Sequence, residues 1–199
     1  MPNRIDIVDQ AAGLRRWAIA PGLRIIPFLD NGGAYQEELI AMLKSALERQ
    51  GHCVKVIDGE KLDHDQRSGN LPLLQGLEFF DICIVTGSLL TLRALTKPAL
   101  QEVWMVTAMS AQARMATYAR LKTVVAKSAL RNIRMIYCGV SDVVQCEQAH
   151  LSLTNTVTAF TKAKIHFGGA VAQETQQQMQ CAEQIASAML DCHLTALAA

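Results

Sequence analysis

Short apolar runs alternate along the chain with longer stretches of helical period. The runs are Arg24–Leu29 (RIIPFL), Cys53–Ile57, Asp81–Val85, Val103–Ala108, Ile133–Cys138 and Lys164–Phe167. Several are apolar on both faces, as strands covered by helices on each side must be. Between them, Tyr35–Gln50 places Leu39, Leu43, Ala46 and Leu47 on one helical face, and Gly51 follows as a C-terminal cap. Leu89–Gln101 contains Pro98, which argues against one unbroken helix. Ser110–Leu130 opens on a serine cap and carries Met115, Tyr118, Leu121 and Val125 at helical spacing. Asp142–Thr161 and Thr175–Ala199 are the last two helices, with Ile185, Ala188, Met189 and Leu190 as candidates to cover the sheet. The alternation predicts an α/β fold, a mainly parallel sheet flanked by helices on both faces. Asp58–Gly76 is the most loop-like stretch, being charged and holding glycines and a proline. Arg4–Ala18 precedes the first strand and closes at Pro21-Gly22. The expected organisation is an N-terminal helix within residues 1–21 and an α/β domain over 22–199.

Composition narrows the function classes. Half of the 199 residues are hydrophobic and 19% are charged, the profile of a chain that buries a core and not of a disordered one. Nineteen Lys and Arg against eighteen Asp and Glu leave a net charge of +1, so nothing marks a nucleic-acid binder. No apolar run approaches the ~20 residues that span a bilayer, and the charged start MPNRIDIVDQ has no apolar core of a secretory leader. Six scattered cysteines, with Cys83 and Cys138 inside apolar runs, read as reduced thiols in a cytoplasmic protein. No Lys or Arg follows Lys164, which argues against electrostatic attachment of the C-terminal helix to a membrane. Cys146 and His150 stand four apart on one predicted helix, but no second pair stands near in sequence to complete a metal site.

The first strand-to-helix turn reads Asp30-Asn31-Gly32-Gly33-Ala34-Tyr35-Gln36-Glu37. In nucleotide-binding α/β proteins this turn cradles phosphates, using glycines, a lysine and a Mg²⁺-binding hydroxyl. Taken alone, Gly32-Gly33 fits an ordinary turn. With Gly51 and the run VKVID (Val54–Asp58), the block from Gly32 to Asp58 resembles the MinD/ParA family of deviant P-loop ATPases, without a gap. That resemblance implies a P-loop NTPase fold and places the nucleotide-contacting positions. The signature lysine falls on Asn31, the loop glycine on Tyr35, the phosphate lysine on Gln36 and the Mg²⁺-binding hydroxyl on Glu37. A carboxylate at Glu37 suits the positive end of the helix and occupies the niche a phosphate would use. Phe80-Asp81 begins the third strand as in that family, and the acidic position that would hold Mg²⁺ and its water is Thr86. Cys138-Gly139-Val140 stands where the family has an Asn that reads the base, and Asp58 is retained. The segment between Asp58 and Asp81 is much shorter than in the family. The reading is a pseudo-ATPase with no cofactor, in which ATP and Mg²⁺ bind only if Asp58 and backbone amides suffice.

The run Asp9-Gln10-Ala11-Ala12-Gly13-Leu14-Arg15 is similar to the DQAxxLR element that precedes the ATPase domain in FlhG (FleN), the MinD-type regulators of flagellar number and placement. This resemblance implies that Asp9, Gln10, Ala11, Leu14 and Arg15 bind the signal-recognition-type GTPase FlhF and stimulate its GTP hydrolysis. It also implies contacts with a flagellar transcription activator and with C-ring components, and recruitment to the cell pole by partners. The residues are compatible: Ile7, Ala11, Leu14 and Trp17 share one helical face, Asp6 and Asp9 lie early, and Arg15 and Arg16 lie late. Gln10 is the neutral polar side chain suited to orienting an attacking water. Three readings stand at this point. One is a non-catalytic FlhG-like regulator. Another is a divergent ATP-binding ATPase. The third is a pseudo-ATPase partner in another localisation or secretion apparatus.

Overall fold

The computed structural model describes residues 23–30, 34–61, 77–96, 100, 102–126 and 130–197. Six strands form one sheet: β1 Arg24–Leu29, β2 Val54–Asp58, β3 Ile82–Gly87, β4 Glu102–Ala108, β5 Asn132–Val140 and β6 Lys164–Ala172. Their order is β2-β3-β1-β4-β5-β6, and every pairing is parallel. The helices are α1 Ala34–Arg49, α2 Leu89–Thr96, α3 Ala111–Ala126, α4 Val143–Phe160 and α5 Thr175–Leu197.

The period-2 alternation of the strands divides the core in two. On one face Ile26, Phe28, Ile84, Trp104, Val106 and Ile136 pack under α1 and α5. On the other Val85, Met105, Ile133, Met135 and Tyr137 pack under α2, α3 and α4. Leu39, Leu43, Ala46 and Leu47 are fully buried, as the period of α1 predicts. The helix stops because Gly51 takes φ +91°, a conformation that costs a side-chain-bearing residue more. Serine and aspartate cap α2, α3 and α4: Ser88 Oγ accepts from Thr91 N at 3.2 Å, Ser110 Oγ from Ala113 N at 3.2 Å and Asp142 Oδ1 from Val144 N at 2.9 Å. Helix α2 ends at Thr96, two residues before Pro98, whose ring disfavours helix in the residue ahead of it.

Three expectations are corrected. The sixth strand does not end at Phe167 but runs on to Ala172. Its register against β5 shifts between Met135 and Ile136, so Gly168 is the extra residue of a bulge. A Cβ on Gly168 would stand 2.8 Å from the Trp104 ring, and one on Gly169 (φ +136°) only 2.4 Å from Ile185 Cγ1. The glycine pair therefore lets β6 lie close to the Trp104 ring and to α5, in the same half of the core. In α3, Met115 is 73% exposed, and the buried line is Thr117, Leu121 and Val124. The buried Thr117 hydroxyl donates to Thr107 Oγ1 at 3.0 Å, and satisfying that pair fixes the rotation of the helix. In α5, Ile185 and Met189 cover the sheet together with Ala182 and Ala186, while Ala188 faces solvent. Cys83, Cys138 and Cys146 are buried. No described helix is long and apolar enough to cross a membrane.

Candidate functional site

Strand order places β1 between β3 and β4, so the connection from β1 runs toward β2 while that from its neighbour β3 runs the opposite way, to β4. The crevice at the carboxyl ends of the strands beside such a switch point is where open α/β sheets take ligands. Here a cleft of about 650 Å³ opens beside it, over the carboxyl ends of β4, β5 and β6. Tyr35, Gln36, Glu38 and Met42 of α1 form one wall; Thr107 to Ser110, Cys138-Gly139, Gln173 and Gln178 form the rest. Two backbone hydrogen bonds tie the strand ends together, Met109 N to Cys138 O at 3.1 Å and Gln173 N to Val140 O at 3.0 Å.

Among the described residues that line the cleft, Glu38 is the one charged side chain, and none is a Lys or Arg. Burial, and then the Glu38 carboxylate, push the Cys138 thiol up to about 12, so it stays protonated. Gln36 is buried at the cleft, where the resemblance places the phosphate lysine. Tyr35 is 53% exposed on its rim. Glu37 lies in the first turn of α1 and is exposed, outside the cleft lining.

Asp58 and Thr86 are brought together, being register partners at the ends of β2 and β3. Neither is arranged to hold a cation. Asp58 Oδ1 accepts from Glu60 N at 3.0 Å and from Lys61 N at 3.4 Å, and Lys61 Nζ lies 3.2 Å from Oδ2. Its carboxylate thus caps the chain as it turns helical at 59–61. The Thr86 hydroxyl donates to Ile57 O at 3.5 Å. A Cβ on Gly59 would lie 2.6 Å from Thr86 O and 2.7 Å from Thr91 Cγ2, so backbone and threonine fill the space over these strand ends. The resemblance to the MinD/ParA family implies Mg²⁺ and a nucleoside triphosphate here, and the described donor set does not fit them. The hydroxyl is neutral, the carboxylate is already engaged, and the cleft offers a carboxylate where a polyanion needs cations. Among the described residues no group of three His, Cys, Asp or Glu could hold a metal.

Of the other expected site residues, Asn31, Gly32 and Gly33, and the partner-binding Asp9, Gln10, Ala11, Leu14 and Arg15, lie outside the described residues. So does the boundary between the segment 1–21 and the domain. Cys146 is buried, and His150 Nδ1 instead faces the Tyr137 hydroxyl at 3.2 Å. Sequence reasoning missed Glu38, Thr107, Gln173 and Gln178. The signal for Thr107 and Gln173 was their place at or just after a strand end; Glu38 and Gln178 carried none, since a polar residue on a helix reads as a solvated face.

The class defined by the described residues is an α/β domain with an all-parallel six-stranded sheet flanked by helices. Among solved structures the chain is similar to the MinD cell division protein of Aquifex aeolicus, at 12% identity and TM-score 0.60, covering 84% of this chain and 97% of that one. It is similar also to MinD in the MinC:MinD complex of the same organism (14%, TM-score 0.54, 84% and 96% covered). A plasmid partition protein of Borrelia burgdorferi bound to AMPPNP is a third (12%, TM-score 0.51, 84% and 98% covered). The fold is therefore that of the MinD/ParA-type ATPases. No family model and no curated sequence matches this chain.

Proposed function

We propose that this chain is a non-catalytic, FlhG-like regulator of flagellar number and placement. Its Asp9–Arg15 element binds an FlhF-type GTPase and stimulates GTP hydrolysis, and the α/β domain serves as the partner platform. The observation that carries the reading is the conjunction of DQAAGLR, just ahead of β1, with a MinD/ParA-type fold whose cleft carries Glu38 where phosphate would need cations. Asp9 and Arg15 are the docking contacts, Ala11 and Leu14 the apolar face, and the Gln10 amide orients the attacking water. Contacts with a flagellar transcription activator and with C-ring components, and polar recruitment, belong to the same reading.

The test adds the full-length chain, and separately a synthetic Arg4–Ala18 peptide, to a purified FlhF-type GTPase and measures GTP turnover. Stimulation by both, lost on Gln10→Ala while binding persists, is the expected result. Unchanged turnover, or stimulation indifferent to Gln10→Ala, would remove the activator role.

A further inference from the structure

A second pocket, of about 480 Å³, opens between α3 and α4 and shares only Thr107 with the cleft. Its walls are largely apolar: Tyr118 of α3, Ala149 and Leu153 of α4, and Tyr137 of β5 below them. Met115 lines its mouth, 73% exposed. The hydroxyls around it are engaged within the protein. Thr117 donates to Thr107 Oγ1 at 3.0 Å, Thr107 to Ala108 O at 3.3 Å and Thr156 to Ser152 O at 2.7 Å, and Tyr137 Oη lies 3.2 Å from His150 Nδ1. Arg114 differs from all of these. It is the one charged residue lining the pocket among the described residues, and its half-buried guanidinium forms no ion pair or side-chain hydrogen bond with them. Its charge is felt at the Tyr137 hydroxyl on the pocket floor.

We propose that this pocket binds a straight-chain carboxylate, its head group paired with Arg114 and its alkyl chain between the α3 and α4 walls, against Met115. Each half of the ligand answers a separate observation. A single unpaired guanidinium takes one carboxylate, by a bidentate pair, and repels a cation. With the threonine and Tyr137 hydroxyls already bonded, the walls offer little to a polar tail, while an alkyl chain gains burial there and covers Met115. The volume falls within the range of small-ligand sites. Arg114, Ala149 and Ser152 also line an adjoining polar recess, which puts the guanidinium at the polar end of the pocket. Asp142 lines that recess too, but its Oδ1 accepts from Val144 N at 2.9 Å and it forms no ion pair with Arg114. The head group would therefore be the first carboxylate that Arg114 meets among the described residues.

Titration of the full-length chain with hexanoate, octanoate and decanoate, each below its micelle concentration, tests this by calorimetry and by the methionine methyl spectrum. Binding should saturate at one site, shift the Met115 methyl signal, and tighten about 4-fold per added methylene, the worth of a buried CH₂. Arg114→Gln should weaken decanoate at least about 10-fold, as loss of a charged hydrogen-bond partner does, and leave the neutral decanol nearly unaffected. Ala119→Trp fills the pocket from an exposed position on α3 and should abolish binding of both. Decylammonium should not compete. No saturable binding of decanoate, equal affinity for decylammonium, or an affinity indifferent to Arg114→Gln or to Ala119→Trp would each overturn the proposal. So would retention of the chain on phosphatidylglycerol vesicles that Ala119→Trp removes, because the occupant would then be a membrane and not a free carboxylate. Neither the N-terminal element nor GTP turnover enters these readouts, so this site and the regulator reading fail separately.

Discussion

Gly169→Ala tests the feature of β6 that sequence pattern missed. Two costs follow from the geometry. The residue sits at φ +136°, a region L side chains rarely adopt, and the new Cβ would lie 2.4 Å from Ile185 Cγ1 and 2.9 Å from its Cδ1. Backbone strain of this kind costs about 1–3 kcal/mol, and overpacking a core contact about 1–3 kcal/mol more. The sum, about 2–6 kcal/mol, lowers the midpoint of thermal unfolding by at least about 4 °C in a chain of this size. Ile185→Ala separates the two costs. By itself it loses about 2–5 kcal/mol as a truncated core residue. Combined with Gly169→Ala it leaves only the Ile185 Cβ position, 3.7 Å away, which is ordinary contact. The double variant should therefore be about 1–3 kcal/mol more stable than the sum of the singles, with the strain remaining. Urea unfolding of the four proteins supplies the cycle. A Gly169→Ala protein within about 0.5 kcal/mol of the parent, or strictly additive effects, would refute a strand that continues through the glycine pair under α5.

Three further outcomes are expected. Titration with ATP and Mg²⁺ should show binding no tighter than about 1 mM, some −4 kcal/mol, and no turnover, because the cleft presents Glu38 and, among the described residues, no lining cation; micromolar binding with hydrolysis would revive the divergent ATPase. Asp58→Ala should cost about 1 kcal/mol as a lost cap, whereas Asp58→Asn should retain most of the stability because its amide oxygen still accepts from Glu60 N; equal losses measured by urea midpoint would show that the charge matters more than the cap. Burial, then the charge of His166, holds His150 below its usual 6.5, and burial, then Arg134, does the same for His166. The unfolded chain thus binds more protons, so stability is complete above about pH 6.5 and declines as pH falls through the folded values; His150→Gln should flatten part of that decline, and an unchanged slope between pH 7.5 and 5.5 would count against it.

The sequence by itself determined the layers and where most elements lie. The continuous apolar run in RIIPFL and a 3.6-residue period through Leu39, Leu43 and Leu47 are local consequences of which sides of each element are kept from water. Caps at Ser110 and Asp142 are equally local, since each satisfies backbone amides within three residues. The N-terminal run DQAAGLR and the residues at the nucleotide positions the resemblance implies are residue types at fixed spacings, and their roles belong to the proposal. Only the tertiary structure decided the rest, because it depends on what lies opposite. The sixth strand reads as Lys164–Phe167 until Trp104 and Ile185 are seen to require the missing side chains of Gly168 and Gly169. Met115 belongs to the apolar stripe of α3 until the Thr107–Thr117 hydrogen bond turns it outward. Asp58 reads as a survivor of a catalytic site until its oxygens are found on Glu60 N and Lys61. The cleft itself has no sequence signature: parallel crossovers carry Glu38, Thr107, Cys138 and Gln173 to one end of the sheet from positions scattered along the chain.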